Sequence, residues 1–385
     1  MAQTSSARPV RARRRLGRFL AVVCTVLLLL FGVPWWGLVL DPSWPVGFFV
    51  AGTVVFGLAM IAFPWLMYLG HSRRAQDWAA RIGDTMLGVV WVLFAWTVIA
   101  LVPLLILGVF WSRIVALSVL LVAARLVSWG VFEAMRLPRI REVEVAIPRL
   151  GAGLDGTRVV VLADTHFGPI DRSQWSARLA SAVNALKPDI LCHAGDIADG
   201  SVARRAAQAA PLGDMRARLA RVYVTGNHEY FGEAQGWLDH MASLGWEPLH
   251  NRHIVVSRGG DQLVVAGIDD VTALASGLPG HGADVGVALS GADPSLPVLL
   301  VAHQPRQVLQ AAEAGVDLQV SGHTHGGQIW PFHYLVRMDQ PSVHGLSRHG
   351  VGTQLYTSRG AGFWGPPLRI FAPSEISVLT LRTAR

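Results

Sequence analysis

The sequence predicts an α/β domain that follows a region of about four membrane-spanning helices. The first third of the 385 residues contains apolar stretches of about 20 residues or more, the length that a helix needs to cross a bilayer. After about residue 143, short β-branched segments alternate with alanine-rich segments and glycine-containing turns, which is typical of an α/β domain. A hydrophobic fraction of 52% and a charged fraction of only 15% also favour a membrane part.

The apolar stretches predict four spans. Segments 19–40 and 45–70 are each long enough to cross the bilayer as a helix. Residues 84–132 are almost continuously apolar and would measure roughly 70 Å as one helix, over twice the hydrocarbon thickness, so we expect a turn at 111–113. A cleaved signal peptide, for which RARRRLGRFL suggests the twin-arginine type, is the alternative for residues 1–40. The apolar run is longer than the core of such a peptide, and further spans follow it.

Basic residues flank the spans asymmetrically. Residues 1–142 carry 14 Lys and Arg against 5 Asp and Glu, a net +9, whereas the remaining residues carry 19 against 21, a net −2. The basic groups are Arg8, Arg11, Arg13, Arg14, Arg15 and Arg18 before the first span, Arg73, Arg74 and Arg81 after the second, and Arg136, Arg139 and Arg141 after the fourth. By the positive-inside rule, the sequence predicts an integral plasma-membrane protein with a cytoplasmic C-terminal domain. Arg125, inside the fourth span, is best explained by contact with another helix or by snorkelling.

Strand and helix patterns organise the C-terminal part. Strands are predicted at 157–164, 189–196, 221–227, 253–257, 262–268, 297–303, 317–323, 354–358 and 376–381, and helices at 173–186, 202–219, 233–244 and 305–314. The whole chain then divides into a basic tail (1–18), a transmembrane region (19–134), a linker (135–154) and the α/β domain (155–385).

Five predicted strands end in a carboxylate, an amide or an imidazole. These strand ends carry Asp164-Thr-His166, Asp196, Asn227-His228-Glu229, His303 and His323-Thr-His325. Active sites of open α/β sheets lie outside the carboxyl ends of strands. Aspartate and histidine together bind Mn, Fe, Zn and related ions. At least seven ligands are too many for one tetrahedral ion and suit two ions that share a carboxylate, as in phosphate-ester chemistry.

Only one residue separates His323 from His325. On extended backbone this spacing points both imidazoles to one face, so that each could reach a different ion of a pair. An isolated histidine such as His193 is expected to be structural, because strand alternation turns it away from the face of Asp196.

Five short motifs carry a family resemblance. D-T-H (164–166), G-D-I-A-D (195–199), G-N-H-E (226–229), A-H-Q-P (302–305) and G-H-T-H (322–325) resemble the calcineurin-like metallophosphoesterase family in residue types and order. The similarity covers residues 155–382. The run SGHTHGGQIWP and the closing SRGAGFWGPPLRIFAPSEISVLTL resemble its bacterial membrane-associated branch. The resemblance implies a four-layer α/β/β/α metallophosphoesterase sandwich, which the N-terminal bundle of about four transmembrane helices would precede.

The resemblance also implies a role for each motif residue. Asp164, His166 and His325 would hold one ion, Asn227, His303 and His323 would hold the second, and Asp196 would bridge the two. His228 would be catalytic beside the substrate phosphate, and Asp199 would steady a ligand. The cofactors would be two divalent ions (Mn, Fe, Zn or similar).

These expectations describe a membrane-anchored phosphohydrolase that cleaves phosphoester or pyrophosphate bonds with a metal-bound hydroxide. Its partners would be membrane lipids and a phosphorylated substrate that could be lipid-linked. Four apolar residues, Trp330, Phe332, Phe363 and Trp364, are equally compatible with acyl-chain contact and with a core position. The alternatives are a transporter or sensor with a regulatory metal domain, which a single intramembrane charge disfavours, and a nuclease. The net −2 of the C-terminal part makes nucleic acid an unlikely partner.

Overall fold

The computed structural model describes residues 7–72 and 75–384. It divides the chain into two compact units. The helical unit comprises Met1–Arg74 with Ile82–Ser128, and the α/β unit comprises Ala75–Arg81 with Trp129–Arg385. Arg73 and Arg74, two of the predicted flanking arginines, lie outside the described residues.

The predicted spans are long helices. They are α1 (Ala7–Trp35, extended by a π-helical turn at Trp36–Leu40), α2 (Val46–His71), α3 (Asp77–Leu107) and α4 (Ser112–Met135). Among the described residues, four segments are long and apolar enough to cross a membrane: Leu20–Leu40, Val46–His71, Asp77–Leu107 and Val109–Met135. The third helix is longer than predicted. Its end at Gly108, where φ is 84°, lies three residues before the predicted turn, because glycine tolerates this left-handed conformation.

Two six-stranded sheets form the centre of the α/β unit as far as it is described. The strands are β1 (Arg139–Ile147), β2 (Arg158–Leu162), β3 (Ile190–Ala194), β4 (Ala220–Val224), β5 (Glu247–Pro248), β6 (Arg252–Arg258), β7 (Asp261–Gly267), β8 (Val298–Val301), β9 (Leu318–Ser321), β10 (Gly345–His349), β11 (Thr353–Thr357) and β12 (Glu375–Thr383). The first sheet has the order β1-β12-β2-β3-β4-β5 and the second β10-β11-β9-β8-β7-β6. β2, β3 and β4 run parallel to one another, as do β7, β8, β9 and β11.

Eight helices accompany the two sheets among the described residues. They are α5 (Ser173–Ala185), α6 (Val202–Ala209), α7 (Asn227–Phe231), α8 (Ala234–Ser243), α9 (Ala273–Ser276), α10 (Val285–Ala288), α11 (Val308–Glu313) and α12 (His333–Asp339). One apolar core lies between the sheets and includes Val161 and Val320. A second core packs α5 and α8 on the first sheet, and a third packs α10 and α11 on the second. This arrangement confirms the predicted α/β/β/α layers.

The sequence patterns predicted nine strands of the sandwich and missed three. β1 lies within the segment expected to be a linker and pairs in parallel with β12. Four of its charged residues are exposed: Arg139, Arg141, Glu142 and Glu144. Charged and apolar residues alternate over 139–147, as is typical of a strand at the edge of a sheet. β5 has only two residues and β10 is an edge strand, so neither offers a strong apolar pattern.

Candidate metal centre

The seven predicted ligands come together at the carboxyl ends of five strands. Asp164 and Asp196 each lie two residues beyond the end of their strand, β2 and β3, and Asn227 lies three residues beyond β4. His303 and His323 each lie two residues beyond β8 and β9, in the other sheet. Because parallel strands end at a common edge, residues far apart in the sequence become neighbours there.

Five of these ligands have left-handed backbone. The φ angles are 53° at Asp164, 42° at His166, 55° at Asp196, 71° at His323 and 51° at His325. Such angles are costly for residues other than glycine and cluster at functional sites. They also show that the extended-backbone explanation of the H-x-H spacing is wrong. The two imidazoles reach the centre because both residues are left-handed and Thr324 between them is right-handed helical.

The first group consists of Asp164, His166 and His325. His166 Nε2 lies 3.1 Å from His325 Nε2, and His325 Nε2 lies 3.9 Å from Asp164 Oδ1. His166 Nδ1 donates to Asp199 Oδ1 at 2.9 Å, so its Nε2 presents a lone pair to the group. Such a carboxylate bonded to the far nitrogen is the usual support of a metal-binding histidine.

The second group consists of Asn227, His303 and His323. Asn227 Oδ1 lies 2.9 Å from His323 Nδ1 and 3.1 Å from His303 Nε2. His303 Nδ1 donates to the carbonyl oxygen of Ala194 at 2.7 Å, which leaves the lone pair of Nε2 facing the group. Burial lowers the pKa of His323 to about 3. His323 is therefore neutral, the form in which histidine binds a metal.

Asp196 lies between the two groups. Its Oδ2 is 3.6 Å from His166 Nε2 and 3.1 Å from His303 Nε2. Two ligands of one ion lie roughly 3–3.5 Å apart when each bond measures about 2.0–2.2 Å. The observed spacing of buried nitrogen and oxygen donors therefore fits divalent ions, with one carboxylate oxygen reaching both groups. Gly226 makes room for this carboxylate, since a Cβ there would overlap Asp196 Oδ1.

His228 lies beside both groups, and with His166 and Asp196 it is also close enough to hold an ion. Its Nδ1 is 2.7 Å from Asp199 Oδ1, and its backbone nitrogen donates to Asp196 Oδ1 at 2.8 Å. Burial lowers the pKa of His228, but the carboxylates of Asp196 and Asp199 outweigh it and raise the pKa to about 9. Asp199 thus accepts from both His166 and His228, which agrees with the supporting role implied for it.

Glu229 is a buried carboxylate for which the sequence predicted no role. Its two oxygens accept from the backbone nitrogens of Asp196 (3.0 Å), Ile197 (2.8 Å) and Gly226 (2.7 Å). These bonds join the loops after β3 and β4, which carry Asp196 and Asn227. Its place in the G-N-H-E motif was the available signal.

Arg369 is a second missed residue, and it is fully buried. Its guanidinium donates to the carbonyl oxygens of Gly362 (2.6 and 2.8 Å), His325 (3.0 Å) and Ala372 (3.1 Å). Its Nη2 also lies 3.1 Å from His325 Nδ1. Arg369 therefore fixes one ligand of the first group from behind. The only sequence signal for Arg369 was its position in the segment SRGAGFWGPPLRIFAPSEISVLTL, which resembles the membrane-associated branch of the family.

Apolar side chains border His228. Its ring centroid lies 5.4 Å from that of Phe231 and 6.2 Å from that of Trp364, and both aromatic residues are exposed. Of the four apolar residues singled out in the sequence, Trp364 and Phe332 are exposed and Trp330 is half-buried. The fourth, Phe363, is buried beside the guanidinium of Arg172.

A further His and Asp cluster and one isolated histidine lie outside the centre. His250, Asp269 and His281 are close enough to hold an ion. His250 Nδ1 is 2.6 Å from Asp269 Oδ1, and both ring nitrogens of His281 have hydrogen-bond partners, so protein contacts already satisfy these polar atoms. His193 is buried against Tyr223 and Trp246, in the structural role expected for it.

Comparison with known proteins identifies relatives of this chain. Residues 157–327 match a family model described as Calcineurin-like phosphoesterase. A transmembrane protein with metallophosphoesterase domain from Danio rerio is 38% identical over 271 residues, which cover 69% of this chain and 62% of that protein. An uncharacterized metallophosphoesterase of Campylobacter jejuni is 35% identical over 69% of each chain.

A more distant relative is the uncharacterized metallophosphoesterase YkuE of Bacillus subtilis, which is 30% identical over 60% of this chain and 81% of its own length. The chain spans about three fifths of the two relatives named transmembrane proteins, at 62% for Danio rerio and 60% for Bos taurus.

Proposed function

The chain belongs to the calcineurin-like phosphoesterase family, and from this premise we propose that it is a membrane-anchored hydrolase of phosphoester or pyrophosphate bonds that uses two divalent ions. The observation that carries the proposal is the position of Asp196 Oδ2, within 3.6 Å of a histidine nitrogen from each group. Asp164, His166 and His325 would hold one ion, and Asn227, His303 and His323 the other. Ions bound there would polarise the phosphate oxygens and lower the pKa of water.

The chain's own residues would orient the substrate and manage its charge. His228, whose Nδ1 is bonded to Asp199, would donate from Nε2 to an oxygen of the phosphate or of the leaving group. Its raised pKa keeps it charged near neutral pH, which suits a donor to an anionic transition state. Asp199 and Glu229 would hold the imidazoles and loops in place.

The proposal includes a cytoplasmic α/β unit at the plasma membrane. Residues Ala75–Arg81, at the start of the third candidate span, belong to the same compact unit as Trp129–Arg385. Asp77 pairs there with Arg205 at 2.6 Å. An even number of spans between these segments would place both on one side, and the arginines around them favour the cytoplasm. An impermeant maleimide should label a Leu309→Cys variant only after the cells are permeabilised.

The proposal is tested on the full chain purified in detergent. Asp196→Asn and His228→Ala should lower turnover of an aryl phosphate ester by about 100-fold or more, because the first removes the carboxylate that both ions would share and the second removes the donor to the phosphate. His240→Ala, on the neighbouring helix α8, is the matched control and should keep full activity. Full activity of both site variants, or activity that survives complete removal of bound metal, would refute the proposal.

Metal analysis and a substrate screen refine the same proposal. We expect two ions per chain, and we expect chelation followed by add-back to abolish and restore activity. A screen of phosphomonoesters, phosphodiesters and lipid-linked pyrophosphates would identify the substrate class. The exposed Phe231 and Trp364 beside His228 support a lipid-linked substrate.

A further inference from the structure

Helix α12 exposes an apolar surface beside the candidate metal centre. None of its seven residues is buried. Tyr334, Leu335 and Met338 are exposed, the last at 84% of its full area, and Phe332 precedes them. Phe371 is exposed as well, and its ring lies 6.4 Å from that of Trp330, which leads into α12. We call these five residues, Phe332, Tyr334, Leu335, Met338 and Phe371, the α12 surface.

The α12 surface continues into the end of helix α4. The backbone nitrogen of Arg369 donates to the carbonyl oxygen of Gly130 at 2.9 Å, and that of Trp330 donates to Ile370 at 3.1 Å. A Cβ at Gly130 would lie 2.9 Å from Ile370, so the two segments pack closely. Gly130 lies in Val109–Met135, which is apolar enough to cross a membrane. The α12 surface therefore lies next to the place where this segment would leave the bilayer.

Basic residues lie beside the same surface. Arg359 Nη2 lies 3.4 Å from His344 Nδ1. Burial lowers the pKa of His344, and the positive charges of Arg359, Arg141 and Arg337 lower it further against the opposing charge of Glu375, so basic groups outnumber acidic ones near this imidazole. Arg337 belongs to α12 itself. Exposed aromatic and aliphatic side chains next to arginines are the composition that binds the interface of an anionic bilayer.

We propose that the α12 surface rests on the anionic face of the membrane, beside the end of α4. The exposed apolar side chains would enter the headgroup region, and the arginines would meet lipid phosphates. Trp364 lies beside His228, and its carbonyl oxygen accepts at 2.7 Å from Gln328, two residues before Trp330. A phosphate at headgroup depth would then lie near the candidate centre. The proposal goes beyond hydrolysis and rests only on the membrane anchoring within the proposed function.

The test measures the depth of a nitroxide label on the full chain in nanodiscs of phosphatidylcholine and phosphatidylglycerol. Cys24→Ser removes the exposed native thiol, and Cys192 is buried and stays unlabelled. The label is placed at Met338→Cys. Val287→Cys is the matched control, because Val287 is an exposed apolar residue on α10, which packs beside β6 at the other edge of the second sheet. Leu58→Cys on α2 marks the membrane interior.

Membrane contact at position 338 should make the label several-fold more accessible to oxygen, which dissolves in lipid, than to a water-soluble nickel complex. The label at 287 should show the opposite preference. Equal behaviour at 338 and 287 would overturn the proposal, and so would dipolar broadening between labels, which would place a second copy of the chain on the α12 surface. A water-accessible label at position 58 would instead overturn the membrane anchoring itself, whatever the outcome of the aryl phosphate assay.

Discussion

In the proposed centre of two ions, replacement of Arg369 should weaken the binding of one metal ion and leave the binding of the other unchanged. Arg369→Lys keeps the charge but loses the planar fork that bonds three backbone carbonyls and abuts His325. Loss of a group that supports a metal ligand lowers metal affinity by about 10–100-fold, which corresponds to roughly 1.4–2.7 kcal/mol. The larger change Arg369→Met would leave buried carbonyls without a donor at roughly 1–3 kcal/mol each, so the lysine variant is the one to measure.

The assay is competition with a metal chelator, together with a count of bound ions per chain and thermal unfolding of the metal-free protein. Arg221→Lys is the matched control, because Arg221 also donates to three backbone carbonyls, those of Gly213, Met215 and Gly245, away from the centre. In Arg369→Lys we expect the affinity for one ion to fall and the affinity for the other to stay unchanged. In Arg221→Lys we expect both affinities to stay unchanged. An equal loss of affinity for both ions in Arg369→Lys, or no loss for either, would refute the role of Arg369 in positioning His325.

Three further experiments test other parts of the structure. Gly226→Ala should lower metal affinity by at least about tenfold, because its Cβ would overlap Asp196 Oδ1. Gly352→Ala is the control and should leave the affinity unchanged, because a Cβ there meets open space. Equal metal affinities of the two variants would contradict this prediction. Burial raises the pKa of Cys192, so a maleimide should label it only after unfolding, and labelling of the folded protein would show that the strand opens. His250→Ala should lower the thermal midpoint but leave two ions per chain, and loss of an ion would assign it a metal-binding role.

The placement of the ligands was accessible from sequence because it depends on local pattern. A buried apolar strand followed by a polar residue predicts a strand end, and parallel strands bring their ends together. Asp164, Asp196 and His303 follow this rule within two residues. The backbone geometry was not accessible. His323 and His325 look like an extended pair, yet tight turns hold both in left-handed conformation.

Supporting residues were missed because their contacts are long-range. Arg369 acts on His325, 44 residues earlier in the chain, and Glu229 bonds the nitrogen of Asp196, 33 residues earlier. No periodicity links such positions. Strand β1 was missed for a different reason. Its charged residues belong to an exposed edge, and only Val145 and Ile147 are buried, so its apolar signal is short.

The division of the ligands between the two sheets has a consequence for the life of the protein in a cell. Asp164 and Asp196 follow strands of the first sheet, whereas His303 and His323 follow strands of the second. Any ion bound between them ties the two halves together, and a ligand that binds only the folded state raises its stability with concentration. Scarcity of the ion should therefore shorten the lifetime of the protein as well as abolish its activity. Metal supply would then govern the abundance of the protein through proteolysis.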